Sequence, residues 1–288
     1  MNILVVGGTR FFGIPMVKKL VENGHRITLA TRGNRTDPFG NSVQRLIMDK
    51  TDENSVKSAL CGKSFDVVID QAAYSSNDVR SLLANTSCDR YIQMSSCAVY
   101  ESAHTMIKED EFDPKSCELI WLDRPTDYAL GKRQAERAAL EFMDSDSCTF
   151  VRYPVVMGEH DYTGRARFYV RHILQGKPIR LENPDASTAY INETEAGEFM
   201  AQLAETDICG GVNGCSKGVI SQRQMIEYIQ NKCSVKAVIS PHGDAAPYDG
   251  TACDTSYDCT KAEGTGHSFS HISQWLFGLF DSLISGEK

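Results

Sequence analysis

No apolar run in the 288 residues approaches the about 18 positions that a membrane-spanning helix needs, so no membrane partner is expected. A basic patch is missing as well. The formal net charge is −8, and the densest basic cluster, Arg165, Arg167 and Arg171, reads as the solvated face of one helix. A polyanionic partner such as nucleic acid is therefore not expected. No basic and apolar leader precedes the first strand pattern, and the expected location is the cytoplasm. Ten cysteines are present without a single Cys-x-x-Cys pair. Cys209 and Cys215 are six apart, as are Cys253 and Cys259, with no histidine at zinc-ligand spacing, so no metal site is expected. Reduced thiols used as small hydrophobes are the expectation. The Asn-x-Ser/Thr triplets at Asn34, Asn85 and Asn192 have no consequence without secretion. Internal repeats and low-complexity tracts are absent.

What is present is a soluble composition, 41% hydrophobic, long enough for one large or two closely packed domains. The chain opens with an apolar run, Asn2 to Val6, followed by Gly7-Gly8-Thr9-Arg10-Phe11-Phe12-Gly13. A helical pattern then places Met16, Val17, Leu20 and Val21 on one face, with Pro15 in the first turn, where its missing N–H costs nothing. Strand, glycine loop and helix in that order suit a dinucleotide. Glycines let the backbone approach the pyrophosphate, and the helix N-terminus attracts it. An ordinary glycine-rich turn is the alternative for the loop taken alone.

Two later segments carry chemistry: Ser95-Ser96-Cys97-Ala98-Val99-Tyr100 and Asp127-Tyr128-Ala129-Leu130-Gly131-Lys132. In the second, Tyr128 and Lys132 are four apart at an expected helix start, hence on one face. A free phenol has a pKa near 10, too high for a base at neutrality, and a nearby ammonium favours the phenolate. A hydroxyl from the first segment, Ser96, could hold a carbonyl or alcohol beside that phenol. Ser95 is the competitor, because strand side chains alternate and only one of the two should face the site. Such a trio moves protons in carbonyl and alcohol chemistry.

Strand patterns at 2–6, 26–30, 43–48, 67–70, 89–95 and 149–156 alternate with helical ones, and several are apolar throughout, as in a parallel sheet covered on both faces. A doubly wound, Rossmann-type α/β sheet follows, with a smaller, mostly C-terminal α/β substrate domain. The expected division is 1–160 for the dinucleotide-binding part, with a return near 186–206, and 161–288 mainly for substrate. The helix from Asp127 carries Ala135, Ala138, Ala139, Phe142 and Met143 at helical spacing. Further helices are expected at 165–175, capped by Gly176, at 194–204, and from a capping box at Ser221 and Gln224. Residues 241–266 read as a loop, and Ile272, Trp275, Leu276, Leu279, Phe280 and Leu283 as a core-facing or dimer-facing stripe.

This order of segments resembles the extended short-chain dehydrogenase/reductase superfamily, specifically the NAD-dependent epimerase/dehydratase family. The family's Gly-x-x-Gly-x-x-Gly loop matches Gly7, Arg10 and Gly13, with Arg10 a departure at the middle glycine. Some branches, including plant chloroplast proteins proposed to bind stem-loop RNA, are similar in Gly-Gly-Thr-Arg-Phe-x-Gly. The resemblance implies a cofactor site formed by Gly7, Thr9, Arg10, Phe11, Phe12, Gly13, Arg32, Asp49, Ala72, Tyr128, Lys132 and Tyr153, and a catalytic trio of Ser96, Tyr128 and Lys132. At the end of the second strand the family's acid falls at Thr31, with Arg32 next and no acid before Asp37. A basic residue there suits the 2′-phosphate of NADP, so NADP is expected ahead of NAD; a solvent-exposed loop charge is the alternative. Asp70 stands where His is usual, Val155 where many nucleotide-sugar enzymes have Asn, and Cys97 and Ala98 where dehydratases carry an acidic pair. The last departure argues against dehydration. The implied activity is hydride transfer at a secondary alcohol or ketone, nucleotide sugars included, in a homodimer. Tyr74, Tyr100, Arg165, Arg167 and Tyr248 are candidates for the substrate pocket, the two arginines as a diphosphate clamp or as surface charges. A non-catalytic dinucleotide- or RNA-binding protein on the same fold is the rival reading.

Overall fold

Alternate residues of β1 (Asn2–Val6) face opposite ways, and that alternation organises the molecule. The computed structural model describes residues 1–247 and 253–287. Ile3 and Val5 pack with Met16, Leu20 and Phe199, from α1 (Gly13–Glu22) and α6 (Glu193–Leu203). Leu4 and Val6 pack with Val56, Val79 and Ala135, from α2 (Glu53–Leu60), α3 (Ser76–Leu83) and α4 (Tyr128–Ala139). Two helical layers therefore sandwich one sheet. Its seven strands are all parallel and run in the order edge strand Gly210–Asn213, β6 (Cys148–Arg152), β5 (Ser87–Met94), β4 (Ser64–Asp70), β1, β2 (Arg26–Thr31) and β3 (Gln44–Ile47). Winding proceeds outward on both sides of the β1/β4 boundary, so the loops after those two strands diverge and leave a crevice at their C-terminal ends.

A third apolar cluster joins α5 (Arg165–Gln175), α7 (Gln222–Cys233) and the last helix, Leu276–Glu287. Leu276, Leu279, Phe280 and Leu283 of the C-terminal stripe lie in it, so core packing accounts for that stripe. The capping box at Ser221 and Gln224 and the left-handed Gly176 cap are both formed.

Four segments differ from the sequence pattern. The run at 149–156 is two strands, β6 and Val155–Met157, because Pro154 has no N–H to give a ladder. Gly210–Asn213 carries no strand pattern, since two glycines and an asparagine have weak β-propensity; pairing with β6 supplies the structure. The helix from Asp127 stops at Ala139, leaving Phe142 exposed rather than on the buried face. Within 241–266, Asp244–Ala245 pairs with Ile179–Arg180 and Thr260–Glu263 is helical. Tyr248 lies outside the described residues.

Where β6 and the edge strand end, Arg152 is fully buried and binds Glu136 of α4, which is also fully buried, through two bonds of 3.1 and 2.7 Å. Its other N–H groups donate to the carbonyls of Glu109 and Phe112 at 2.8 and 3.0 Å and to the Tyr100 hydroxyl at 3.2 Å. Tyr100 in turn donates to Asn213. One guanidinium thus ties the 107–112 segment to sheet and helix.

Candidate active site

The crevice is entered over the glycine loop. Gly7 and Gly8 have φ of 97° and 84°, a region in which side chains are strained. A Cβ on Gly8 would stand 2.9 Å from the side chains of both Val5 and Val17, and one on Gly13 would stand 2.7 Å from the Gly8 Cα. The loop closes on Gly8 and Gly13, so position 10 is free to carry a side chain. Arg10 lays its guanidinium over the Tyr162 ring, 3.4 Å from the centroid. Phe11 is buried at φ 51°. Phe12 meets the edge of Tyr153, whose hydroxyl donates to the Ala196 carbonyl at 2.6 Å. Tyr153 is therefore core support for the loop, with burial pushing its hydroxyl pKa up.

Thr9, Arg10, Arg32, Arg35, Asp49, Lys50, Ala72 and Arg124 line one cleft at the ends of β1, β2 and β4. Six of the residues expected to hold a cofactor meet there: Gly7, Thr9, Arg10, Arg32, Asp49 and Ala72. Phe11, Phe12, Gly13 and Tyr153 lie behind or beside the loop instead. The Asp49 carboxylate accepts from the Thr51 hydroxyl at 2.7 Å and its amide at 3.0 Å, which hold its pKa below the usual carboxylate value. The charges of Arg32 and Arg124 act in the same direction. Asp37, the first acid after β2, is engaged side-on by Arg45 at 2.7 and 3.0 Å.

Asp127 caps α4 by accepting from the Leu130 amide at 3.1 Å, which fixes where the helix starts. Tyr128 is 48% exposed, whereas Lys132 is fully buried. The Lys132 ammonium donates to the carbonyls of Ala73 and Met94, both at 2.8 Å, and lies 4.6 Å from the Tyr74 ring centroid and 5.7 Å from that of Tyr128. Burial lowers its pKa to about 7, against the opposing pull of Asp70. Close approach of α4 depends on Gly131, where a Cβ would stand 2.5 Å from the Tyr74 carbonyl oxygen. A Gly131→Ala protein is expected to lose about 1–3 kcal/mol in urea unfolding, since a backbone oxygen cannot rotate aside. Unchanged stability would show that α4 shifts freely.

Ser95 and Ser96 point to different partners, as alternation requires. Ser95 is buried and donates to Glu136. Ser96 is half-buried, and its oxygen accepts from the Ala98 amide at 3.1 Å. The segment is held against α4 by Arg133, which donates to the Val99 carbonyl at 2.7 Å, and against the chain just after β6 by the Cys97 amide on the Tyr153 carbonyl at 2.9 Å.

Several candidates for the substrate pocket go elsewhere. Tyr100 is committed to Asn213 and Arg152. Arg165 pairs with Asp161 at 3.1 Å, while Arg167 and Arg171 both pair with Glu287, at 2.9 and 2.8 Å. A two-arginine diphosphate clamp is thus replaced by ion pairs to an acidic neighbour and to the last helix. Tyr74 does reach the site, between Lys132 and Arg124. Sequence reasoning missed Arg124, Tyr162 and Lys50. Arg124 was detectable as a cation four residues before Tyr128; nothing in the sequence marks Tyr162, which meets Arg10 only through the fold.

A sequence model of the NAD dependent epimerase/dehydratase family matches residues 3–87 and 78–187. A chloroplast stem-loop binding protein of 41 kDa from Arabidopsis thaliana is 28% identical over 218 residues, covering 66% of this chain and 54% of the relative. The chain thus spans about half of that relative's length. The fold is similar to that of UDP-glucose 4-epimerase from Thermotoga maritima, solved with UDP-glucose (TM-score 0.76, 17% identity, all of both chains). It is also similar to that of UDP-glucuronic acid 4-epimerase from Bacillus cereus, solved with NAD (TM-score 0.74, 17% identity, 98% and 96% of the chains). The family match runs from β1 through the glycine loop, past Tyr128 and Lys132, into the segment after β6, and on that span the chain belongs to the NAD-dependent epimerase/dehydratase family of enzymes.

Proposed function

We propose that this protein exchanges hydride between a nicotinamide dinucleotide and a secondary alcohol or ketone, with NADP preferred over NAD and a nucleotide sugar as the substrate class. The observation that carries the reading is the buried Lys132 ammonium 5.7 Å from the centroid of the exposed Tyr128 ring. The residues present fit such a cofactor. The Gly7–Gly8 turn leaves backbone accessible at the start of α1, and Asp49 is kept ionised for an adenine edge. Arg10, Arg32, Arg35 and Arg124 put four cations around the cleft of a protein whose net charge is −8. Asp37 is engaged by Arg45, so no acid is offered to a ribose 2′-hydroxyl from that loop. When bound, the nicotinamide supplies hydride exchange at the substrate carbon.

The side chains do the rest. Tyr128 takes the alcohol proton in oxidation and returns it in reduction. Lys132, fixed by two carbonyls, would favour the phenolate and hold a ribose hydroxyl with its third N–H, which here has only the Met94 sulfur at 3.9 Å. Ser96 orients the substrate oxygen. Beyond residue 160, and apart from the return near 186–206 and the edge strand, the elements around α5, α7 and the last helix, with their own apolar cluster, would form the substrate side. Cys97 and Ala98 offer no acid or base for eliminating water, so epimerisation or reduction is favoured over dehydration.

The test is titration with NADPH and NADH, followed by a panel of UDP-hexoses. NADPH is expected to bind at least tenfold more tightly, and Arg32→Glu is expected to remove that preference. Equal affinity in the parent would overturn the NADP assignment. The stem-loop-binding relative supports a second reading, RNA binding in the same cationic cleft. A stem-loop RNA displaced by NADPH would support that reading; its failure to bind at 150 mM salt would remove it.

A further inference from the structure

We propose that Asp70 and Lys50, a buried charge pair at the end of β4, are positioning residues for Lys132 and set opposing fields at its ammonium. The inference rests on the reading of Lys132 as the partner of Tyr128, and deepens it. Asp70 ends β4 with no exposure. One carboxylate oxygen receives the Lys50 ammonium and the Tyr91 hydroxyl, the latter at 2.9 Å; the other accepts from the Ala72 amide at 2.9 Å. Lys50 enters from the turn after β3 and is 8% exposed, lining the cleft. Lys132 comes from the opposite side on α4 and donates to Ala73, three residues after Asp70.

Three buried charges, two positive and one negative, are therefore held on adjoining residues: Asp70 binds Lys50 and the Ala72 amide, and Lys132 binds the Ala73 carbonyl. Desolvating an ion pair is expensive, so a buried pair in itself says little for stability. A field acting on a third group is a better account. Asp70 favours the charged form of Lys132 and Lys50 opposes it. The other charges facing Lys132 are Glu136, one turn along α4, and Asp78 on α3, both favouring the proton. Asp78 is partly offset by Arg124, 3.6 Å away. The remaining titratable neighbours, Tyr74 and Tyr128, present their rings. Asp70 stands where the family pattern has His, a residue that can be neutral; with Asp there, a lysine at position 50 balances the carboxylate.

The two partners must then act on Lys132 with opposite signs. Asp70→Asn removes attraction, and Lys132 should lose its proton at lower pH. Lys50→Met removes repulsion and leaves the carboxylate to Lys132, which should lose its proton at higher pH. Each midpoint is expected to move by about one pH unit or more. The readout is the Lys132 ε-methylene resonance in protein labelled with 13C-lysine, assigned by its absence in Lys132→Met and followed over pH without cofactor. Midpoints moving in opposite directions support the proposal; no movement, or movement in the same direction, overturns it. Should Asp70→Asn fail to fold, the upward shift in Lys50→Met decides alone. A second readout is the pH profile of turnover, whose limb should follow the same two displacements. Because the resonance is read without cofactor or substrate, loss of the catalytic reading would leave this result standing.

Discussion

A Tyr128→Phe protein should bind NADPH within about twofold of the parent and lose roughly 10²–10⁴ of its turnover, the range a positioned acid or base contributes. The contrast between the two readouts follows from the geometry. Tyr128 is 48% exposed at the first position of α4, so removing its oxygen leaves no buried cavity. Lys132 keeps its bonds to Ala73 and Met94 whatever happens at residue 128. Stability should therefore change by less than about 0.5 kcal/mol, as for most surface substitutions. Turnover is best read by single-turnover formation of reduced nicotinamide on mixing with a UDP-hexose, which separates chemistry from binding. Retention of more than a tenth of the rate would show that another group moves the proton, and Ser96 would be the next suspect. Lys132→Met should weaken both binding and rate, because it also removes the proposed ribose donor and the bonds to the Ala73 and Met94 carbonyls.

The largest stability effect belongs to Arg152. Arg152→Met should cost about 3–5 kcal/mol in urea unfolding, because the Glu136 charge would remain buried without a counter-charge. The guanidinium also holds Glu109 and Phe112 carbonyls, and the edge strand has a glycine, Gly211, where a Cβ would stand 2.6 Å from the guanidinium carbon. Replacing both partners, Arg152→Met with Glu136→Met, should recover more than half of the loss, since the unpaired charge is gone while the apolar volume is kept. Additive losses would mean that the bonds to the 107–112 segment, rather than the ion pair, dominate. Ser95 would lose its acceptor in the double variant, so a modest shift in the serine segment is expected as well.

Much of this molecule was legible from the chain because its signals are local. The parallel sheet shows in apolar strands separated by helical periodicity, and β1, the glycine loop and α1 lie where pattern puts them. The Asp127 cap and the spacing of Tyr128 and Lys132 are matters of one helical turn. Local logic also separates Ser95 from Ser96, although which of them meets Glu136 is set by α4. Other features depend on residues far apart in sequence. Nothing at position 10 announces Tyr162, and Lys50 meets Asp70 only because β3 and β4 end on the same side of the sheet. Arg165 and Arg167 read as a possible clamp until Asp161 and Glu287 engage them.

The sequence by itself determined the architecture, the loop that suits a dinucleotide and the identity of the proton-transfer candidates, because hydrophobic period, glycine placement and helix spacing act over a few residues. Tertiary structure alone decided which charges are buried and what they face: Lys132 near the Asp70–Lys50 pair, Arg152 on Glu136, and the four arginines around one cleft. Burial and charge proximity set proton affinity and ion-pair strength, and both arise only when distant segments converge in a low-dielectric interior.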